Sequence, residues 1–484
     1  MLGAVQTLAA VLARVAALPI FDITAFGAVA DNATLCTGAI QAAIDAAASA
    51  GGGAVFVPPG GAFLTATLAL KSHVYISLPT GATLQGSAKL TDYTAVSGSD
   101  WGLWDVFHTR NVTDSGVIGD AAGGGTLSGP MWQMIASYDP VANFLNPVTW
   151  AGGADGCIGE CRPRLVVFED SADITIARVR LWDSADWTQL YRRCSNVLLE
   201  HVDVFGAQQW PNNDGVDFES CANVTVRDYS SVTGDDGIVL ASGNCNAMRE
   251  PWPESCNAYS PTRGVLIERA RLSSHSSAIK YEAIDQTCHG NVFDVVVRDV
   301  TIFDSARGVG MQQRTGAGAA FAWAFSNVYV SKSRAVIGDN WWGKGESLYL
   351  STLSEGPEAN ETLGGIRNIT FADSVFEGEQ GALVFNLGEP GALRDLTFSN
   401  VTVRVGVYGN ATRAGVHDLR PVNVGPETIA ANVSGWFFQG AAARVLGGAV
   451  TFVPPAQPTW SRGVCNATED ASVDFEGVAC TPAV

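Results

Sequence analysis

The chain has 484 residues and a formal net charge of −19, and 47% of its residues are apolar while only 16% are charged. Such an apolar content excludes an intrinsically disordered chain. The 53 glycines follow no three-residue period, which excludes a collagen-like chain. The negative charge argues against general binding to nucleic acid or to anionic lipid. We therefore expect neither a nucleic-acid partner nor a membrane partner.

The first 20 residues are almost all apolar, with Arg14 as the one interruption. The stretch is short for a membrane span, and it fits a signal peptide over residues 1–18. The alternative interpretation is an N-terminal helix that packs on the folded protein. A signal peptide would direct the chain to the secretory route, so the first interpretation predicts a secreted, extracellular protein.

Ten cysteines and nine Asn-X-Ser/Thr sequons support the same compartment, because disulfides and N-glycans form on the secretory route. Two cysteine pairs each bracket a short polar loop, and we expect local disulfides between Cys245 and Cys256 and between Cys465 and Cys480. The second pair lies in a Pro-rich tail formed by residues 441–484. We expect a monomeric, secreted glycoprotein.

One helix is predicted near the N-terminus, and strands follow it. Residues 37–50 are alanine-rich, with Ile40 and Ile44 four residues apart, and the stretch ends at three consecutive glycines. Glycines after a periodic apolar stretch indicate a helix stop. We expect this helix to cap the N-terminal end of a strand stack.

The strands form a repeat of short β-branched runs, most of them opened by Asn or Asp. Their starts are 23 to 41 residues apart, and a second strand follows each run within a few residues. Strand units that cannot bury their own faces must stack on one another. The runs begin at Asp173, Asn196, Asn223, Gly264, Asp294, Asn327, Asn368 and Asp395.

A period in the twenties suits a parallel β-helix better than a propeller, whose blades need about 40 residues or more. The Leu-x-x-Leu-x-Leu pattern of leucine-rich repeats is absent. We therefore predict an all-β, single-domain parallel β-helix of about ten coils over residues 19–440. The two longest steps are interpreted as loops inserted into single coils, and such loops commonly wall a cleft.

Three acidic residues lie in glycine-containing turns: Asp214 before Gly215, and Asp235 and Asp236 before Gly237. Asp214 and Asp235 are 21 residues apart, close to one coil, so we expect them on adjacent rungs. Like charges that close raise the pKa of one carboxyl, which gives an acid beside a base. Two carboxyl groups that flank a bond suit glycoside hydrolysis, and room for a water between them gives inversion. The alternatives are ordinary Asp-Gly turns or a calcium site.

Further stretches, over about residues 21–400, carry a family resemblance. They are Phe26-Gly-Ala-Val-Ala-Asp-Asn, Gly51-Gly-Gly-Ala-Val-Phe-Val-Pro-Pro-Gly, Gly81-Ala-Thr-Leu-Gln-Gly-Ser, Arg162-Pro-Arg, Asp183-Ser-Ala-Asp-Trp, Asn212-Asn-Asp and Asp235-Asp. On these stretches the chain resembles glycoside hydrolase family 28, the polygalacturonase group of the pectin-lyase-like β-helices. The resemblance implies a right-handed parallel β-helix and hydrolysis of glycosidic bonds in pectin-like cell-wall polysaccharide.

The same resemblance implies roles for individual residues. Asp235 would be the general acid, and Asp214 and Asp236 would hold and deprotonate the attacking water. Asn212 aligns with the asparagine that opens the family's Asn-x-Asp motif. His275 stands between two serines where the family has Gly-His-Gly, and it would tune the general acid.

The family's Arg-Ile-Lys motif is changed in this chain. Gly310 and Gln312 occupy the positions of the two cations that grip the galacturonate carboxylate in the family. Arg314, two residues beyond Gln312, and Lys280, close to His275, are candidate replacements. The change would fit an altered or neutral sugar at the cleavage site.

Aromatic residues could stack against sugar rings, although the core is the other natural place for them. The candidates are Tyr281, Trp210, Trp341 and Trp342.

Two other function classes remain open. A catalytically altered or inactive β-helix protein that binds polysaccharide would explain the missing cations, although the three aspartates argue against it. A calcium-dependent polysaccharide lyase shares the fold, but it needs a Lys or Arg base beside an acidic cluster, and the sequence shows no clear pairing of this kind. We predict a polysaccharide substrate, no cofactor and no metal.

Overall fold

The structure is a computed structural model and divides into two compact units. The N-terminal unit comprises Met1–Thr233 with Met248–Glu250, and the C-terminal unit comprises Gly234–Ala247 with Pro251–Val484. The structure describes residues 7–94, 104–138, 148–150, 162–242, 261–283, 290–313, 316–334, 343, 345–352, 364–386, 391–405, 436–439, 442–452, 465–467 and 472–476.

The described part of the N-terminal unit contains three α-helices, two short 3-10 helices and seventeen strands. The helices are α1 (Leu8–Val15), α2 (Thr37–Ser49), α3 (Met131–Met134), η1 (Ile23–Phe26) and η2 (Leu90–Asp92). The strands are β1 (Ile20–Asp22), β2 (Gly53–Phe56), β3 (Gly61–Thr65), β4 (Val74–Ser77), β5 (Ala82–Gly86), β6 (Asp105–Arg110), β7 (Thr113–Ile118), β8 (Thr126–Ser128), β9 (Ile135–Tyr138), β10 (Val148–Trp150), β11 (Arg164–Glu169), β12 (Ala172–Trp182), β13 (Gln189–Arg192), β14 (Ser195–Phe205), β15 (Val216–Glu219), β16 (Ala222–Arg227) and β17 (Ser230–Thr233).

Most of these strands stack in three parallel ladders. The first runs β2–β4–β7–β12–β14–β16, and the second runs β3–β5–β8–β12–β14–β17. The third runs β6–β11–β13–β15. Strands β12 and β14 belong to two ladders because each bends in its middle, at Arg178 and His201, whose φ angles are +55° and +56°. Each coil therefore contributes strands to three faces.

The described part of the C-terminal unit is formed by strands alone, and no helix anywhere in the described residues is long and apolar enough to cross a membrane. The strands are β18 (Ile238–Ala241), β19 (Thr262–Glu268), β20 (Arg271–Ser274), β21 (Ser277–Ala283), β22 (Val292–Phe303), β23 (Arg307–Gln313), β24 (Ala320–Ser333), β25 (Glu346–Thr352), β26 (Ile366–Gly378), β27 (Gly381–Asn386), β28 (Leu393–Val405), β29 (Trp436–Gln439), β30 (Ala442–Phe452), β31 (Cys465–Ala467) and β32 (Ser472–Glu476).

These strands also pair in parallel from coil to coil. One ladder runs β19–β22–β24–β26–β28–β30–β32, and another runs β18–β21–β23–β25–β27–β29–β31. The prediction of an all-β fold with parallel β-helix stacking is confirmed in each unit.

The Asn and Asp residues that open the repeats have a structural reason. All seven lie in the left-handed region with φ between +51° and +58°, and Gly264 takes the eighth position with φ +65°. Asn and Asp tolerate this conformation better than other residues with a Cβ atom. Their side chains also bond from coil to coil, since Asn196 Nδ2 donates to Asp173 Oδ1 at 3.0 Å and Asn223 Nδ2 donates to Asn196 Oδ1 at 3.2 Å.

The core of each unit is filled by inward-facing apolar residues that stack in register. In the N-terminal unit the ring of Tyr191 lies between Phe168 and Phe218, with centroid distances of 5.9 and 5.3 Å. In the C-terminal unit Phe371 lies between Phe325 and Phe398, at 4.4 and 5.2 Å. Stacked rings of this kind add to the burial energy, so the cores favour one register.

Helix α2 confirms the predicted N-terminal helix. Its apolar face, formed by Ile40, Ala43, Ile44 and Ala47, is fully buried. The helix ends before Gly51 and Gly52, whose φ angles of +87° and +135° strongly favour glycine.

Three cysteines in the described part of the chain, Cys36, Cys194 and Cys221, are buried thiols outside any disulfide. Burial raises the pKa of the Cys221 thiol well above its ordinary value, which keeps this thiol protonated and unreactive. The two predicted disulfides concern Cys245, Cys256, Cys465 and Cys480, whose side chains lie outside the described part of the structure.

Helix α1 lies within the N-terminal segment that is predicted to be a signal peptide or a packed helix. Leu8 packs with Ala177 and Leu198, and Val11 is fully buried against Tyr75 and Ile118. These four partners are residues of strands β4, β7, β12 and β14. The helix thus covers an apolar part of the ladder surface.

Arg14, near the end of helix α1, anchors it electrostatically. Its guanidinium forms an ion pair with Asp114 and donates a hydrogen bond to the Tyr75 hydroxyl at 2.9 Å. The Tyr75 hydroxyl donates to Asp114 Oδ1 at 2.5 Å. Burial, followed by the interaction with Asp114, raises the pKa of Tyr75, so the hydroxyl stays a donor at working pH.

We expect Val11→Asp in the full chain to lower the free energy of unfolding by roughly 1–3 kcal/mol, because it places a carboxylate in the apolar contact of helix α1. Ala9→Asp, on the exposed face of the same helix, is the control and should change stability little. Thermal unfolding of both variants measures the difference. Equal melting temperatures would contradict the docked helix.

Candidate active site

Asp214 lies in the turn before strand β15 of the N-terminal unit and is 5% exposed. Its backbone carbonyl accepts a hydrogen bond from the Thr188 amide at 2.8 Å. Asn212 has φ +59°, and Asn213 Nδ2 donates to the carbonyl of Ala207 at 3.1 Å. Backbone and side-chain bonds therefore fix the turn on both sides of the carboxylate.

Arg162 is bonded to the same turn. Its Nη1 atom donates to the carbonyls of Ala185 and Pro211, both at 3.0 Å, and its Nη2 atom donates to Asn212 Oδ1 at 2.8 Å. The side chain is buried at 3% exposure. We assigned Arg162 no role from the sequence, although it opens the Arg-Pro-Arg stretch. Its acceptors are 23 to 50 residues away in the sequence, so its contacts can be recognised only in the three-dimensional structure.

Asp186 is a second buried acid of the N-terminal unit, in the turn before strand β13. Burial raises its pKa, and the charges of Arg162 and Arg164 offset only part of that effect. Because the folded-state pKa of Asp186 lies above the ordinary 3.8, the folded protein binds the proton of this carboxyl more tightly than the unfolded chain does. The stability that the protonated carboxyl contributes is therefore fully present below pH 3.8. It is lost as the pH rises through the folded-state pKa.

We therefore expect Asp186→Asn to raise the melting temperature at pH 7 and to leave it nearly unchanged at pH 3. Asp170→Asn should show the opposite sign at pH 7, because hydrogen bonds from Arg193 lower the pKa of Asp170. Thermal unfolding at the two pH values measures both variants. A loss of stability in Asp186→Asn at pH 7 would contradict the direction of the pKa shift.

In the C-terminal unit, Asp235 and Asp236 form the turn before strand β18 and are 4% and 2% exposed. The amide of Asp236 donates to Asp235 Oδ1 at 3.0 Å. Ser274 Oγ donates to the Asp235 carbonyl at 2.7 Å, and the Ser277 amide donates to Asp236 Oδ1 at 2.8 Å. The turn of the following coil thus fixes both aspartates.

His275 lies in that following turn and is 7% exposed. The flanking serines hold the turn together, since the Ser276 amide donates to Ser274 Oγ at 2.9 Å. The Ala306 and Arg307 amides donate to the carbonyls of Ser274 and Ser276, both at 2.8 Å. The structure therefore brings His275 into the turn that bonds Asp235 and Asp236.

Lys280 points toward this turn as well. Its Nζ atom lies 2.6 Å from Asp236 Oδ2 and 3.1 Å from a carboxylate oxygen of Glu282, and the residue is 6% exposed. Burial acts to lower its pKa, but the charges of Asp236, Glu282 and Asp235 outweigh this and raise the pKa well above its ordinary value. Lys280 is therefore a permanent cation paired with Asp236.

Gly310, at the position where we expect the family's arginine from the sequence, lies beneath the side chain of Arg307. A Cβ atom at Gly310 would lie 3.0 Å from Arg307 Cδ and 3.0 Å from Ser277 Oγ. Arg307 therefore occupies space that a side chain at position 310 would need. Arg307 was not identified as a site residue from the sequence. The feature that could have pointed to it is an arginine three residues before a glycine, whose missing side chain leaves room for the guanidinium.

Arg307 and Gln312 are both buried, at 1% and 2% exposure. Arg307 Nη1 donates to Gln312 Oε1 at 3.2 Å, and Arg307 Nη2 donates to a carboxylate oxygen of Glu346 at 3.3 Å. Its guanidinium carbon also lies 4.1 Å from the ring centroid of Tyr349. Gln312 is thus linked to the internal pair of Arg307 and Glu346.

The aromatic candidates in the described residues belong to the core. Tyr281 is 1% exposed and packs edge-on against Trp323 at a centroid distance of 6.1 Å. Trp210 is 5% exposed and packs with Met131 and Met134. Neither ring offers an exposed face to a sugar. Arg314, Trp341 and Trp342 lie outside the described residues.

Comparison with known proteins gives one family. The profile of glycosyl hydrolases family 28 matches residues 57–251. A probable polygalacturonase of Vitis vinifera is 28% identical over 310 residues, which cover 60% of this chain and 57% of that protein. An exo-poly-alpha-D-galacturonosidase of Dickeya chrysanthemi is 29% identical over 275 residues, covering 50% and 44%. The chain thus spans about half the length of these relatives.

A solved structure shows the same fold. The hyperthermoactive exopolygalacturonase of Thermotoga maritima matches with a TM-score of 0.61 and 18% identity, over 83% of this chain and 92% of that one.

Proposed function

We propose that the chain belongs to glycosyl hydrolase family 28 and hydrolyses glycosidic bonds in pectin-like cell-wall polysaccharide. The observation that carries the proposal is the pair of buried, consecutive carboxylates Asp235 and Asp236, held by the next turn and faced by Lys280. Burial of two carboxyl groups in one turn is costly unless hydrogen bonds and charges compensate it, and a catalytic role would account for keeping both groups there.

Asp235 is the proposed general acid that protonates the leaving oxygen. Asp235 Oδ1 accepts the Asp236 amide, and Asp236 accepts the Ser277 amide on Oδ1 and the Lys280 ammonium on Oδ2. The direct contact with the Lys280 ammonium suits the proposed role of Asp236 as the base, and Asp235 is then the proposed acid. His275, in the adjacent turn, is proposed to tune Asp235.

Asp214 and Asp236 are the proposed residues that hold and deprotonate the attacking water. Water attack opposite the leaving group in one step inverts the configuration at the anomeric carbon. We therefore propose an inverting reaction, which needs no covalent intermediate. Asn212 is proposed to contact substrate or to support Asp214.

The sugar preference is proposed from the changed cation positions. Lys280 is paired with Asp236 and Glu282, and Arg307 is paired with Glu346, so carboxylates of the chain accompany both cations. A galacturonate carboxylate would compete with these partners. An altered or neutral sugar at the cleavage site, within a pectin-like chain, fits the arrangement better. Gln312 and Arg314 stay candidate binding residues.

The proposal includes a secreted, cell-wall-directed monomer, on the strength of the sequons and the cysteines. Polysaccharide is the proposed partner.

A reducing-end assay on purified polygalacturonate, rhamnogalacturonan and xylogalacturonan tests the function. We expect new reducing ends on at least one polymer, products of inverted configuration by proton NMR, and no sensitivity to EDTA. Unsaturated products that absorb in the ultraviolet, with loss of activity in EDTA, would identify a lyase instead. Binding to a polymer without any cleavage would identify the inactive binding protein.

A further inference from the structure

We propose that Arg162 is a positioning residue for the hydrolytic reaction. Its guanidinium holds the turn that carries Asp214 and thereby sets the direction of the water-activating carboxylate. The inference rests on the proposed function, because it concerns how one of the proposed water-activating groups is placed.

The geometry of Arg162 is that of a clamp between two successive turns. One nitrogen bonds the carbonyl of Ala185 in the turn before strand β13 and the carbonyl of Pro211 in the turn before strand β15. The other terminal nitrogen bonds the side chain of Asn212. A planar guanidinium can satisfy three acceptors in fixed directions at once, whereas the ammonium of lysine cannot copy this fork.

Two of the acceptors that Arg162 bonds, Pro211 and Asn212, lie close to Asp214 along the chain. Asn212 precedes Asp214 by two residues and holds a left-handed conformation, which the bond from Arg162 to its side chain fixes. The Asp214 carbonyl is bonded to Thr188, in the coil that contains Ala185. Movement of Pro211 and Asn212 would therefore be transmitted directly to Asp214.

The burial of Arg162 favours a positioning role over direct substrate binding, because a side chain that is 3% exposed has little surface for a substrate to contact. Three hydrogen bonds from its guanidinium go to acceptors of the chain itself. A buried cation that bonds several acceptors rigidifies its surroundings, and its removal takes the donor away from those acceptors. Arg162 thus acts through Asn212 and the backbone.

The test compares Arg162→Lys with Arg192→Lys, a matched buried arginine of the same unit. Arg192 is also 3% exposed, and it pairs with Glu169 and Glu219 on the neighbouring strands, at 3.3 and 2.6 Å. Activity is measured on whichever of the three polymers the unmodified protein cleaves best, and each rate is divided by the folded fraction. Both variants should lose stability.

The activities of the two variants should differ. We expect Arg162→Lys to lower kcat by roughly 100-fold with little change in KM, since a misplacement of about 1 Å in a catalytic group costs this much. Arg192→Lys should keep kcat within about threefold of the unmodified protein. Millimolar guanidinium should partly restore kcat in Arg162→Ala, in a saturable manner.

Three outcomes would overturn the inference. They are an unchanged kcat in Arg162→Lys, an effect on KM alone, and an equal loss of kcat in Arg192→Lys. Asp214→Asn is measured alongside to separate the inference from the proposed function. If Asp214→Asn loses activity and Arg162→Lys does not, only the role of Arg162 fails. If the unmodified protein cleaves none of the polymers, the proposed function fails.

Discussion

Asp235→Asn should lower kcat by roughly 10²- to 10⁴-fold while the protein stays folded, because an amide cannot protonate the leaving oxygen. The substitution keeps the side-chain shape, and the Asn oxygen can still accept the bond that the Asp236 amide gives to Asp235 Oδ1. Reducing-end release per folded molecule, on the polymer that the unmodified protein cleaves, measures the loss. Melting temperatures of both proteins should agree within a few degrees.

The leaving group gives a second readout for the same residue. A short oligomer with a 4-nitrophenyl leaving group needs little protonation, so the loss in Asp235→Asn should shrink on this substrate. Asp373→Asn is the control at an exposed aspartate of the same unit, where the carboxylate accepts a hydrogen bond from Asn400 at 2.8 Å. An Asp235→Asn protein with full activity on the polymer would remove Asp235 from the mechanism.

The sequence was sufficient to predict the repeat and the class of fold, and the structure explains why. Asn and Asp recur because each repeat opens in the left-handed conformation, as at Asp173, Asn196 and Asn223. The side chain must also reach the equivalent residue of the next coil. Such a local requirement recurs with the period of the coil, so it is visible without any three-dimensional information.

The buried polar contacts of the site could not be predicted in this way. Arg162 bonds Ala185 and Asn212, which are 23 and 50 residues away, and no local pattern marks these acceptors. Arg307 was missed for another reason, since its side chain fills the space that a side chain at position 310 would need, and this contact appears only in three dimensions. For Tyr281 the sequence left both sugar stacking and a core position open, because nothing in its strand distinguishes a buried ring from an exposed one.

Lys280 illustrates the difference between a residue type and its environment. A lysine near His275 suggested a cation for the substrate, and the distance of 2.6 Å to Asp236 shows that the cation already has an internal partner. Whether Lys280 also binds a sugar depends on the strength of its ion pair with Asp236. The strength of this ion pair is therefore the quantity to measure.

We expect Lys280→Met to lower the free energy of unfolding by about 3–5 kcal/mol and to lower kcat as well, because it leaves the Asp236 carboxylate buried without its cation. The double variant Lys280→Met/Asp236→Asn should recover much of the stability, since a neutral amide has no unpaired charge, but it should not recover kcat. Because the pKa of Lys280 lies well above its ordinary 10.5, the stabilisation is fully present below that pH and is lost only above it. The stability loss in Lys280→Met should therefore be the same at pH 6 and pH 9. Chemical denaturation of the variants at both pH values measures these free energies of unfolding. If Lys280→Met lowers the free energy of unfolding by less than about 1 kcal/mol, the ion pair between Lys280 and Asp236 is weak. A weak ion pair would favour Lys280 as a substrate-binding cation.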